Sequence, residues 1–422
     1  MFVKIGVAGL LSAASSVWDT AVLGGGAAGL VAAISAASEG RNVILFEKGD
    51  RLGKKILISG NGRCNITNRT ADDVRHYHGA PPSFIQTVLN HLPLSQTLAF
   101  FSDLGVEVHE EKRGRLFPQS NQAQSVVDVL YDRLQQLGVK ICLDTEIAAV
   151  NKADYFGLET DEGQVYQAEK LIMASGGISA GKMGADGRGM KMAVNLGHEM
   201  TVLKPGLVAL ESKEKYLRTM QGVKIVAEVV PDIPGKNRVI DCDDLLIASY
   251  GVSGFTILSL SARVVPHLKN GPVNLRVNLF PGKDAQTISK MLRERWEKNP
   301  HRSLEMSFAG LLNKKLVRSL LKHGAFDGEQ MVGNIGEEAR SNIAGLLTKW
   351  SIPVYKPRDF EYAEVTIGGI RTGTINPDTL ESYIIPGLYF AGEMLEVYGD
   401  LGGFNFQWAW ASGMLAGKGL GD

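Results

Sequence analysis

Three short apolar runs in this chain break into glycine. Two of the resulting segments lead to a carboxylate. Thr20-Ala-Val-Leu23 runs into Gly24-Gly25-Gly26-Ala27-Ala28-Gly29, a G-x-G-x-x-G, and an apolar stretch from Leu30 to Ser38 follows, ending at Gly40. Asn42-Val-Ile-Leu-Phe46 then closes on Glu47, 23 residues past Gly24. Leu171-Ile-Met-Ala174 runs into Ser175-Gly176-Gly177, and Gly387-Leu-Tyr-Phe-Ala runs into Gly392-Glu393. Strand, glycine turn, helix, strand, acid is a unit with a chemical purpose. The first glycine permits a tight turn, the second lets backbone approach a pyrophosphate, and the third lets helix and strand pack closely. The helix N-terminus offers unpaired N–H groups and a positive dipole end to phosphate. An acid at this distance accepts hydrogen bonds from ribose. The chain is therefore expected to bind a dinucleotide through Gly24, Gly26, Ala27, Ala28, Gly29 and Glu47.

Other stretches carry polar chemistry. Ser59-Gly60-Asn61-Gly62-Arg63-Cys64-Asn65-Ile66-Thr67-Asn68 combines small residues, a guanidinium, a thiol and three amides, a composition suited to a loop around a polar planar group. Near the C-terminus, Tyr398-Gly399-Asp400-Leu401-Gly402-Gly403-Phe404-Asn405-Phe406-Gln407 precedes a small-residue helix expected over about 408–416. A helix that starts just after Gly-Gly aims its positive end back at whatever that loop holds.

These residues carry a resemblance. From Asp19 onward the chain resembles the BaiN/RdsA-type family of FAD-dependent flavoproteins, related to glutathione-reductase-like flavoproteins. The marks are Gly53-Lys54-Lys55, Ser59–Asn68, Ala363–Gly369, Thr379–Ser382, Gly387–Glu393 and Gly402–Gln407. The resemblance implies FAD as cofactor. Its contacts would come from the fingerprint residues, Lys48, Lys55, Ser59, Gly60, Gly62, Arg63, Asn65, Ala174, Ser175, Gly176, Gly392, Glu393, Gly402, Gly403, Asn405, Phe406 and Gln407. The Gly403–Gln407 turn would present helix N–H groups to the flavin pyrimidine edge. Arg63, Cys64 and Asn65 are the candidate catalytic residues. Asn68 is a further candidate for holding a uracil carbonyl or a flavin edge, Cys64 is either a proton donor or a buried structural thiol, and His76 and His78 are either acid–base groups or, chiefly, surface-loop histidines. The chain departs from the family pattern at Ala248-Ser249, Gly254-Phe255 and Tyr383, so the flavin motifs are intact while the middle has drifted.

The family's activities imply three readings. The first is reduction of a C=C bond by hydride from reduced flavin, with uridine in large-subunit ribosomal RNA as one substrate; there hydride would reach C6 of the uracil and a proton C5. The second is oxidation of a small amine or aminoketone with release of hydrogen peroxide. The third is a non-catalytic flavoprotein that binds RNA. NADH or NADPH would dock transiently as donor in the first reading, since only one dinucleotide fingerprint is present and the glycines of 184–189 do not spell a second.

These motifs need elements to position them. The fold expected is α/β: a Rossmann-like, glutathione-reductase-like FAD domain over 19–200 and 355–422, interrupted by an insert over 201–354, β-rich to about 283 and helical over about 284–350. Strands are expected at 223–230, 238–240 and 273–279, and helices at 284–296 and 311–323 from apolar residues at i, i+3, i+4 spacing. Residues 1–18 read as an N-terminal extension in which the apolar run Ile5–Ala14 loosely resembles a signal peptide but is too short to span a bilayer, which takes about 20 residues. Pro353 and Pro357 are read as marking the return to the FAD domain.

Composition bounds the rest. With 422 residues, 44% hydrophobic and 21% charged, the chain is a globular protein of more than one domain. Glycine is 49 of 422, about 11.6% against a usual ~7%. Three scattered cysteines, Cys64, Cys142 and Cys242, with no C-x-x-C, argue against a zinc site, a dithiol centre or a secreted framework. A cytoplasmic protein with no metal, no membrane and no DNA partner is expected. Net charge is zero, from 45 basic and 45 acidic residues. That neutrality is a cancellation, because residues 201–350 hold 22 Lys/Arg against 15 Asp/Glu. The basic insert, densest at Lys314, Lys315, Arg318 and Lys322, is a candidate face for RNA; a solvated helix surface has the same composition.

Overall fold

The computed structural model describes residues 17–233 and 240–419. The apolar run Ile5–Ala14 and most of the strand expected at 238–240 lie outside them. The chain divides into two compact units: unit 1 holds residues up to Gly177, Met183–Val202 and Gly368 onward, and unit 2 holds Ile178–Lys182 and Leu203–Ile367.

Unit 1 is built on β1 (Trp18–Leu23), α1 (Ala27–Ser38), β2 (Val43–Phe46), α2 (Lys54–Gly62), α3 (Ala123–Gln136), β3 (Lys140–Cys142), β4 (Ile147–Lys152), β5 (Phe156–Thr160), β6 (Val165–Met173), β7 (Leu388–Phe390) and α4 (Phe404–Lys418). Five strands run parallel in the order β3-β2-β1-β6-β7. β6 is shared: Leu171–Met173 pairs with β7, while Val165–Ala168 pairs antiparallel with β5, which continues the sheet to β4. The central parallel strands carry apolar runs where they pair, as strands covered on both faces do: Ala21–Leu23, Leu171–Met173 and all of β2 are buried, while the edge strand β3 is not.

α1 and α4 pack together because both are poor in side chain. A Cβ on Gly417 would press on the Ala32 carbonyl oxygen at 2.5 Å, and one on Gly413 would overlap the Ala28 carbonyl. The Ser35 hydroxyl donates to the Met414 carbonyl at 2.9 Å. α4 starts at Phe404, four residues before the expected Trp408, which makes Gly403 its N-cap.

Unit 2 has a seven-stranded antiparallel sheet in the order 350–354, 273–278, 224–231, 241–248, 251–253, 210–211, 356–357. The helix Phe255–Val264 packs on it, and Ala285–Glu297 packs on Glu337–Thr348. Asp284 and Asn313 cap the helices Ala285–Glu297 and Lys314–His323 through their side chains. Its core includes Trp296, Phe308 and Trp350. The last crossing between units falls at Gly368 rather than at 355, because Lys356–Pro357 pairs with Leu210–Glu211 and Val365–Ile367 pairs with Lys204–Gly206.

Candidate cofactor site

The β1–α1 turn separates its glycines by role. Gly24 has φ +108°, and a Cβ there would stand 2.7 Å from the Ala174 carbonyl oxygen, so an L-residue is excluded by conformation and by space. A Cβ on Gly29 would overlap the Gly24 carbonyl oxygen. Gly26 is different: a Cβ there would meet nothing within 4 Å. Its backbone is extended, so the missing side chain serves neither strain nor packing and leaves room for a ligand. Gly26 caps α1 with no side-chain acceptor on the first turn, and Leu30 N–H is the one bonded back to the Gly26 carbonyl. The N–H groups of Ala27, Ala28 and Gly29 therefore have no intrahelical acceptor.

Glu47 ends β2 and is pinned. Its Oε2 accepts from Gly25 N–H at 2.8 Å and its Oε1 from Gly49 N–H at 2.8 Å. An ionised carboxylate has about four lone-pair sites, so two acceptor positions remain for ribose hydroxyls.

Further along the parallel strands, Ala174 is buried beside Gly24, and Gly176 has φ +77° with Glu393 Oε2 3.9 Å from where its Cβ would be. Glu393 pairs with Lys55 at 2.8 Å, and Lys48 pairs with Asp186 at 2.7 Å. Ser175 Oγ donates to the Met394 sulfur at 3.1 Å. Gly392 has φ +65°, and its Cβ would stand 2.8 Å from that of Ala28. Residues distant in sequence thus converge on the N-terminus of α1.

The stretch 59–68 departs from the expected loop. Lys54–Ile58 is a helical turn, and the chain then kinks at Ser59 and enters left-handed backbone at Gly60 and Asn61. A Cβ on Gly60 would lie 2.8 Å from the Phe117 ring, while Gly62 faces a nearly open space. Ser59 Oγ donates to the Ile56 carbonyl at 2.8 Å. Arg63 is committed to protein: Nη1 meets Glu111 Oε1 at 2.5 Å and the guanidinium lies 4.3 Å from the Phe117 ring centre. Hydrogen bonding from Arg63 holds the Glu111 carboxyl below its usual range. Cys64 is fully buried at φ +63°, and burial pushes its thiol up to about 12. A thiol so placed is a packed group shut off from solvent. Asn65 is the exception in this stretch, since its side chain is buried and Oδ1 has no hydrogen-bond partner. A buried orphan acceptor costs about 1–3 kcal/mol, which a ligand donor would relieve.

The amides expected to reach the flavin are also spent. Gln407 accepts from Thr67 Oγ1 at 2.7 Å and donates to the Leu92 carbonyl and to Thr97 Oγ1, both at 2.8 Å. Asn405 bonds Gly399 and Asp400, and Asn68 donates to the Gly402 carbonyl at 2.8 Å and the Arg113 carbonyl at 3.0 Å. Phe406 stacks on Trp410 at 5.4 Å. What this segment offers is backbone. Gly403, at φ +104°, caps α4 without a side-chain acceptor, and Gln407 N–H is bonded to the Gly403 carbonyl. The first-turn N–H groups of Phe404, Asn405 and Phe406 are left without an intrahelical acceptor.

One cluster escaped the reading of the sequence. Asp400 bridges His76 Nδ1 at 3.0 Å and His78 Nε2 at 2.8 Å, and the His76 ring stacks on Phe404 at 4.2 Å. Burial would raise Asp400, but the hydrogen bonds from His76 and His78 outweigh it and hold the carboxyl at about 2. The two histidines clamp the turn that leads into α4. The sequence marks His76 and His78 as loop histidines and Asp400 as part of the glycine-rich loop, but nothing in it joins them.

The match of the HI0933-like protein Rossmann domain model to residues 18–419 decides the family. The chain belongs to the HI0933-like Rossmann family. It is 34% identical over 94% of its length, and 97% of the relative, to the 3-dehydro-bile acid delta(4,6)-reductase of Clostridium scindens. It is 32% identical over 96% of its length, and 98% of the relative, to the ribosomal RNA dihydrouridine synthase of Escherichia coli. The 3-ketosteroid delta1-dehydrogenase of Sterolibacterium denitrificans shares the fold at TM-score 0.53 and 13% identity, covering 95% of this chain and 98% of that one. The protein is an FAD-dependent oxidoreductase. Unit 1 fits that cofactor on its own terms: an open Gly26, two uncapped helix N-termini, a pinned Glu47 and an orphaned Asn65 acceptor. Among the described residues no group of three or more His, Cys, Asp or Glu is placed to hold a metal ion, and no helix is long and apolar enough to cross a membrane.

Proposed function

We propose that the protein reduces a carbon–carbon double bond conjugated to a carbonyl, with a uracil ring of ribosomal RNA as substrate and NADH or NADPH as transient electron donor. One observation carries the reading: two relatives, at similar identity over nearly the whole chain, are named for saturating different rings by the same change of bond. Saturating such a bond would add a hydride at its electron-poor end and a proton at its neighbour. The bound FAD supplies the hydride chemistry.

The chain's own residues bind and orient. The Ala27–Gly29 N–H groups and Glu47 would hold the pyrophosphate and adenosine ribose. The Phe404–Phe406 N–H groups would hold the pyrimidine edge and favour negative charge there, with the His76–Asp400–His78 clamp fixing their position. Asn65 would accept one hydrogen bond from the cofactor or the substrate. Cys64, Cys142 and Cys242 form no disulfide with one another, which supports direct passage of electrons to substrate rather than through a redox cysteine pair. The charge of residues 201–350 favours RNA over a small steroid.

The test is anaerobic. Bleaching of the flavin colour by NADH or NADPH, its return on adding a uridine-containing ribosomal RNA fragment, and dihydrouridine in that fragment are the expected results. Bleaching by small amines with peroxide released in air would replace this reading with an oxidase. Unchanged dihydrouridine in the ribosomal RNA of a deletion strain would remove the RNA substrate.

A further inference from the structure

Unit 2 gathers unpaired positive charge at one joint. The helix Lys314–His323 packs against the short helix Lys215–Met220. Ser319 Oγ sits 2.8 Å from Thr219 Oγ1 and donates to the Tyr216 carbonyl at 3.2 Å, and the His323 ring stacks on Tyr216 at 4.1 Å. Lys315 and Lys322 lie four residues before and three after Ser319, so they flank it on the same side of the helix. Lys215 and Arg218 adjoin Tyr216 and Thr219. All four cations are exposed, and among the described residues none of the four has an ion pair. The neighbouring stripe differs: Arg318 and Lys314 both reach Glu305, at 2.8 and 4.0 Å. Glu214 lies near Tyr216 and Glu329 near Arg318. The six cations named here outnumber the three carboxylates.

We propose that this joint is a docking surface for the phosphate backbone of RNA, an inference that rests on the RNA substrate proposed above. Several unpaired cations around the exposed ring of His323, which is backed on one face by the half-buried Tyr216, match what single-stranded RNA presents, charge at regular intervals and faces that stack on aromatic rings. Helix formation dictates part of the pattern, since the buried face of Lys314–His323 is Leu316, Val317, Leu320 and Leu321. It does not dictate lysine at 315 and 322 without carboxylate partners.

The test uses the full FAD-loaded chain and a fluorescent uridine-containing RNA hairpin at rising salt. With four phosphates neutralised, the logarithm of affinity should fall with that of salt at a slope of about −3. Lys315→Gln with Lys322→Gln should roughly halve that slope and weaken low-salt binding by about tenfold or more, while Lys140→Gln on unit 1 changes nothing. Lys215→Gln with Arg218→Gln should do the same from the other side of the joint. The surface is overturned if both double variants bind as tightly as the wild type, or if the wild type prefers phosphatidylserine vesicles to RNA. Reduction of a small conjugated enone by the same preparations reads the reaction alone. Enone reduction without RNA binding overturns the surface and spares the reaction; RNA binding through these lysines without any reduction supports the surface and overturns the reaction.

Discussion

Gly26 and Gly29 stand three residues apart in one turn, yet a methyl group on each should have opposite consequences. At Gly26 the backbone is extended, φ −82° and ψ −174°, and a Cβ meets no atom within 4 Å. Gly26→Ala therefore introduces neither strain nor overlap. Gly-to-Ala at a compatible site stabilises by about 0.4–1 kcal/mol through the unfolded chain, offset by the weaker capping of alanine. The FAD-free protein should change by less than about 1 kcal/mol. The cofactor should be lost, because the methyl fills the space through which a pyrophosphate approaches backbone. An overlap of about 3 kcal/mol, the scale of overpacking, corresponds to about a hundredfold in Kd. At Gly29 the Cβ would sit far inside 3.0 Å of the Gly24 carbonyl oxygen, a backbone atom that cannot swing away. Gly29→Ala should destabilise by about 3 kcal/mol or more, a fall in Tm of about 6–12 °C. The assay is flavin stoichiometry by visible absorbance and FAD titration, beside thermal unfolding of the FAD-free proteins. Refutation would be Gly26→Ala retaining stoichiometric FAD at wild-type affinity, or Gly29→Ala melting like the wild type.

Other outcomes follow from the same geometry. Glu47→Ala leaves the Gly25 and Gly49 N–H groups without their acceptor and should cost about 1–3 kcal/mol for each group that stays dry and weaken FAD, whereas Glu47→Gln, which keeps one oxygen, should be milder; equal effects would refute the pinning role. Asp400 has its pKa held down in the folded state, so the stability it contributes is present above an unfolded value of about 3.9 and is lost as pH falls through about 2; Asp400→Asn should flatten the acid limb of stability between about pH 5 and 2, and an unchanged limb would remove the clamp. Among the thiols, exposed Cys242 should alkylate rapidly in the native protein while Cys64 stays silent until unfolding; fast labelling of Cys64 would contradict its burial.

What was legible in the sequence is what backbone geometry enforces. The turn at Gly24 demands glycine by φ and by space, and the pattern through Glu47 spells out strand, helix and acid. The 59–68 stretch was less legible because its polar residues suit several ends. Its amides and guanidinium looked like ligand groups, yet Arg63 satisfies Glu111 and Asn68 satisfies the Gly402 carbonyl. Only tertiary partners reveal which polar group is left over, and Asn65 is that residue. Asp400 with His76 and His78 was hidden for the same reason, being a contact across more than 320 residues. The domain boundary shows a different failure. Pro353 and Pro357 read as punctuation, but each sits in an outermost strand of the seven-stranded sheet, Trp350–Val354 at one edge and Lys356–Pro357 at the other. Proline is tolerated on an edge because its missing N–H need not join the ladder. The residue that signals the end of a domain and the residue that ends a sheet are chemically the same, and pairing with Leu210–Glu211 and Val273–Val277, far away in sequence, is what tells them apart.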